Sequence, residues 1–210
     1  MTVNSLLETF PLVLVSSGPF SREVLEAAGL HCRPAKPPLA ADWLAARAGP
    51  CQRAEALAYF TARAAAEQSR AERVLALETV VAAGGGRTFS RPPGRLEAAE
   101  MLRCLAGTRH AVVTGAALLA PGVRLIASDV TYVTLAAISD DEIVRYLASG
   151  DWLGIPGAYA TPEMVERFVT DVEGSFSNLM GVPVELIDRM IAEAGQHPEA
   201  HGTPRWAHSA

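Results

Sequence analysis

The sequence predicts an α/β fold, a mixed, twisted sheet with helices on both faces. Three observations carry this. Apolar, β-branched runs alternate along the chain with stretches rich in Ala, Leu, Glu and Arg, the pattern of interleaved strands and helices. Two long runs, HAVVTGAALLA and VRLIASDVTYVTL, flank Pro121-Gly122 and read as an antiparallel hairpin, which breaks a purely parallel scheme. Gly or Pro punctuates most of the boundaries between runs.

Taken in order, residues 11 to 16 read as a continuous apolar strand. Ser21 is placed as the N-cap of a short helix over Arg22 to Ala28, which Gly29 stops. His31 to Lys36 forms a short strand ending at Pro37 and Pro38. From Ala40 to about Arg73 the composition predicts two helices divided at Gly49-Pro50, the second long and Ala-rich. VLALETVVA, residues 74 to 82, is a strand closed by three glycines, and it carries an acid near its middle, Glu78, out of character for a buried strand. Leu96 to Ala106 is the next helix, with Gly107 as its stop. After the hairpin, Ser139 followed by Asp140, Asp141 and Glu142 makes an acidic helix start. GIPGAYATP is turn-rich, Met164 to Val172 is expected to return as a strand, and Pro183 suits the first turn of a helix ending at Ala194. Residues 1–195 are expected to form a single domain and 196–210 a disordered tail containing His197, His201 and His208, for which metal binding is the weaker reading.

With 210 residues the chain is long enough to bury a real core. A net charge of -5 and no Lys/Arg run argue against a nucleic-acid polymer or an anionic membrane as partner. A small molecule or a protein fits better. Cys32, Cys51 and Cys104 are far apart, with no CxxC, so the residues suggest neither a disulfide framework nor a zinc site. MTVNSLLETFPLVLVSSG has no basic leader region, and no apolar run approaches the roughly 18 residues of a membrane span. The cytoplasm is the expected location.

Several stretches could carry chemistry. Ser16-Ser17-Gly18-Pro19 joins a strand to a helix start, where hydroxyls and backbone N–H groups can face an anion, although an ordinary turn uses the same residues. Arg22 is the nearby cation. Glu78, beside Thr79, offers a hard oxygen ligand for a divalent metal or a base for water, or else an acid that faces outward or pairs with an arginine. Arg91-Pro92 places a cation on a loop, and the competing reading is a solvated surface arginine. His110 and Thr114 share one face of a strand by their even spacing, with a satisfied structural histidine as the alternative. In GSFSNLMGVP, Ser177 and Asn178 either cap a helix or read a ligand's polar edge.

Together and in order, LVSSGPFSREVLEAAGL, LETVV, RPPGRLEAAEMLRCLAGTRHAVVTG, SDDEIVRYLASGDW, GIPGAYA and VEGSFSNLMGVPV resemble the Maf family of nucleoside triphosphate pyrophosphatases, from about Leu12 to Gly195. The resemblance implies an α/β fold with a central cleft, often a homodimer. It also implies hydrolysis of a nucleoside triphosphate between its α and β phosphates with magnesium or manganese. It would make Glu78 the catalytic carboxylate and metal ligand, with Ser16, Arg22 and Arg91 on the phosphates. Ser17, Thr79, His110, Thr114, Tyr159, Ser177 and Asn178 would line the substrate cleft. The chain departs from the family pattern at several charged positions. Gly18 and Phe20-Ser21 stand in the S-A-S-P-R-R loop, Glu78 replaces the aspartate of D-T-V-V, and Arg91 replaces the lysine of K-P. Gly154 and Ile155 fill an Asp-Lys pair, Thr161 and Pro162 fall at an Ile-Gln pair, and Glu67 stands for a helix lysine. Two alternatives follow: a non-catalytic nucleotide-binding or protein-interaction module, and hydrolysis of another phosphorylated small molecule.

Overall fold

The computed structural model describes residues 12–16, 18–35, 48–69 and 73–196. Ser17, most of the expected helix after Ala40 and the tail from His197 onward lie outside the described residues. The strands are β1 (Leu12–Ser16), β2 (Cys32–Ala35), β3 (Val74–Ala82), β4 (Thr88–Phe89), β5 (Arg109–Ala120), β6 (Val123–Leu135) and β7 (Val169–Glu173). The helices are α1 (Ser21–Ala27), α2 (Pro50–Ser69), α3 (Arg95–Leu105), α4 (Asp140–Ser149), α5 (Pro162–Phe168), α6 (Phe176–Leu179) and α7 (Val184–Ala194).

One mixed sheet runs β2-β1-β3-β5-β6-β7, with β4 paired to β3. β1 is parallel to both of its neighbours, and the β5–β6 hairpin turning at Pro121-Gly122 is antiparallel, as the sequence predicts. Side chains alternate across β3. Val74 and Ala76 pack on the alanines of α2, and Val80 on Ala54 of the same helix. Leu75 and Leu77 face the other way into a cluster with Leu25, Leu186 and Ile187, and Val81 joins a second cluster with Leu102, Leu135 and Tyr159. Helix α2 therefore covers one face, and the other described helices pack on the opposite one. Gly115 explains how close α2 comes, because a methyl group there would overlap the Ala54 carbonyl and lie 2.6 Å from the Glu55 nitrogen.

Two local expectations need correction. Ser21 is the first helical residue and not the N-cap, which is Phe20, because its hydroxyl is turned to Ser16 and away from the helix N–H groups. The segment from Met164 is helical before it is extended. Thr161 caps α5 by accepting a hydrogen bond from the Met164 N–H at 3.2 Å, Pro162 occupies the first turn, and only Val169–Glu173 joins the sheet. By contrast, Ser139 and Glu142 form the reciprocal capping box that the acidic helix start announces. Among the described residues no helix is long and apolar enough to cross a membrane.

Candidate active site

Strand β3 is shared by two halves of the sheet. Its residues 74–77 pair with β1 and residues 81–82 with β4, so Glu78, Thr79 and Val80 lie between the two pairings. The chain leaves β1 at Ser16, beside Leu77, and turns into α1. A cleft opens at this junction, on the face away from α2. Its walls include Ser16, Ser21, Thr79, Tyr159, Met180 and Gly181, and among the described residues none that lines it carries a charge.

The loop after β1 holds its own shape. The Gly18 N–H donates to Ser16 Oγ at 3.2 Å, and the Ser16 and Ser21 hydroxyls are 2.7 Å apart. Gly18 is needed for this approach, since a Cβ there would sit 2.7 Å from Ser21 Oγ. Arg22 does not turn into the cleft. It lies along α1 and pairs with Glu26 at 2.7 Å, and that carboxylate holds its guanidinium above the usual arginine range.

Thr79 opens onto the cleft and hydrogen-bonds Thr114 across the β3–β5 ladder at 2.9 Å. Behind it, His110 Nε2 and the Tyr159 hydroxyl are 2.8 Å apart. Burial pushes the Tyr159 phenol well above its ordinary range, so it keeps its proton, and the imidazole tautomer sets which of the two groups donates. Burial also lowers the His110 pKa to about 4, so the ring stays neutral in the folded chain. A depressed histidine means that the unfolded chain binds more protons between about pH 4 and 6.5. Stability from this group is therefore complete above 6.5 and lost as pH falls toward 4, by up to about 3 kcal/mol. Urea unfolding at pH 7.5 and 4.5 should show a smaller acid loss in His110→Gln than in the native chain; equal losses would show that His110 does not titrate in this way.

Ser177 and Asn178 are structural supports for the cleft wall. Ser177 Oγ accepts the Val184 N–H at 3.1 Å and so ties α6 to α7. The fully buried Asn178 side chain donates from Nδ2 to the Val112 carbonyl at 3.3 Å and to Thr131 Oγ1 at 3.1 Å. Both fix the segment whose next residues, Leu179 to Gly181, line the cleft.

Glu78 projects from the other face of β3, toward α2. Thr61 of α2 donates its hydroxyl to Glu78 Oε1 at 3.0 Å, and the Arg91 guanidinium donates to Oε2 at 2.8 Å. The acid's side chain is 11% exposed and the arginine's 32%. The helix residue that reaches the carboxylate is thus Thr61. Glu67, the sequence candidate for that position, is exposed and pairs with Arg63 one turn away. The loop bearing Arg91 also touches the cleft wall, where the Ser90 carbonyl accepts the Gly157 N–H at 3.2 Å. Charged group and neutral cleft therefore lie on opposite faces of one strand segment. Among the described residues no group of three His, Cys, Asp or Glu side chains could hold a metal. One hard carboxylate does suit a magnesium-like cation that keeps several waters and shares its remaining ligands with substrate phosphates.

Fold and site define an α/β protein with a small cleft at a break in strand pairing and a paired carboxylate and guanidinium on the opposite face of the same strand. The chain belongs to the Maf-like proteins, whose family model matches residues 11–194. A dTTP/UTP pyrophosphatase of Koribacter versatilis is 35% identical over 184 residues, covering 88% of this chain and 94% of its own. The dTTP/UTP pyrophosphatase of Pelotomaculum thermopropionicum is 33% identical over 192 residues, covering 88% and 96%. That of Rhodospirillum rubrum is 35% identical over 193 residues, covering 91% of each chain.

Proposed function

We propose that this chain is a nucleoside triphosphate pyrophosphatase acting on dTTP or UTP, releasing the nucleoside monophosphate and pyrophosphate. The observation that carries this reading is the placement of Glu78, held by Thr61 and Arg91 where the two halves of the sheet part. The names of the relatives support the substrate class.

Hydrolysis here requires a water oxygen to bond to phosphorus while a bond of the α–β bridge breaks and pyrophosphate leaves. Glu78 is the residue able to take the water's proton, and Thr61 orients the carboxylate through its Oε1. Arg91 brings positive charge to the phosphates, where a planar guanidinium can donate two parallel hydrogen bonds. The neutral cleft suits the uncharged nucleoside, with Ser16, Ser21 and Thr79 offering hydroxyls to its polar edges. A divalent cation, held by Glu78 and the phosphates, would offset the charge that builds on the departing oxygens.

In a pyrophosphate-release screen, dTTP and UTP are expected above ATP and GTP, with magnesium or manganese present. No release from any nucleotide overturns this proposal. A second reading, a nucleotide-binding module without turnover, is favoured by the uncharged lining of the cleft. It predicts nucleotide binding with no product, so the same screen paired with calorimetry separates the two.

A further inference from the structure

We infer that Arg91 is an exchangeable counter-ion for Glu78, which makes the divalent cation bind only after the nucleotide. This rests on the pyrophosphatase reading above and adds an order of binding to it. Both carboxylate oxygens are already engaged, Oε1 by Thr61 and Oε2 by Arg91. A cation approaching Glu78 must displace one of these donors. Thr61 cannot easily withdraw: it is 7% exposed and flanked on α2 by Ala58 and Ala62, both fully buried against the sheet. Arg91 can. It sits on the loop after β4, its side chain is about a third exposed, and its hydrogen bond to the acid uses a single guanidinium nitrogen.

A triphosphate offers Arg91 a better partner than one carboxylate oxygen, because phosphate accepts the guanidinium in bidentate fashion and carries more charge. When Arg91 moves to the phosphates, Oε2 of Glu78 is freed beside the phosphate oxygens. A hard oxygen site with ligands from both protein and substrate then exists for the first time. Without nucleotide, the arginine fills that position and the lone carboxylate has little to offer a hydrated cation.

Manganese is the probe, followed through the electron paramagnetic resonance signal of the free ion. The native chain alone should bind manganese no more tightly than Glu78→Gln does. Arg91→Gln should bind it more tightly than the native chain by up to about fivefold, the gain expected when a competing, partly exposed ion pair is removed. That gain should vanish in the double variant Arg91→Gln/Glu78→Gln. Adding an α,β-methylene analogue of dTTP should create manganese binding in the native chain beyond what the analogue chelates alone and beyond what Glu78→Gln shows with the same analogue. The exchange is overturned if the native chain alone binds manganese through Glu78. It is also overturned if Arg91→Gln, with an unchanged circular dichroism spectrum, gains nothing. The native-chain arm needs no variant and decides the question even if Arg91→Gln does not fold. The two kinds of failure can be told apart: an analogue that does not bind overturns the nucleotide reading, whereas an analogue that binds beside a failed manganese arm overturns the exchange alone.

Discussion

Glu78→Gln is expected to lower kcat/KM for dTTP by about a thousandfold, the middle of the range for removing a positioned general base. The substitution preserves shape and hydrogen-bonding capacity. An amide at this position can turn its oxygen to Arg91 and its nitrogen to the Thr61 hydroxyl, so the contacts at 2.8 and 3.0 Å have replacements. Arg91 keeps about a third of its side chain in water and is not stranded as a buried charge. The melting temperature should therefore move by no more than about 4 °C, equivalent to about 1 kcal/mol for a chain of this size. Steady-state kinetics and a thermal melt of the same sample check both parts. A loss under tenfold in a folded variant would place the base elsewhere.

Gly115→Ala is expected to be the most damaging of the small substitutions, at about 3 kcal/mol, or a fall in melting temperature of roughly 6 to 12 °C. Position 115 pairs with Glu78 in the β3–β5 register and lies under α2. The new methyl group would meet the backbone of Ala54 and Glu55, which has no rotamer to change. The helix itself must move, and it carries Thr61, the donor to Glu78. Activity should fall even where the variant is still folded. Ala54→Gly should not rescue it, because the obstacle is main chain and not the Ala54 side chain; rescue would show that the contact is softer than the geometry implies.

The fold was legible in the sequence where local signals agreed with tertiary demand. The long hairpin, the strand containing Glu78 and the capping box at Ser139 each had a pattern strong enough to survive packing. At Met164 the β-branched and aromatic residues looked extended. The Thr161-Pro162 start, itself a helix signal, prevailed because the capped turn satisfies a backbone N–H that a strand there would have to pair elsewhere. Glu78 was visible as an acid in an apolar run. Its partners were not: Thr61 lies 17 residues upstream and Arg91 13 residues downstream, and only the packing of α2 and the return through β4 bring them together. Arg22 shows the converse, a cation beside the right loop that the helix period directs to Glu26.

Phosphorus-31 NMR of dTTP incubated with the purified chain and manganese-free magnesium buffer tests the central claim most directly, since it reads which bond breaks. Paired growth of dTMP and pyrophosphate resonances is expected with the native chain and almost none with Glu78→Gln. Growth of dTDP and inorganic phosphate, or equal product from the two proteins, would contradict it.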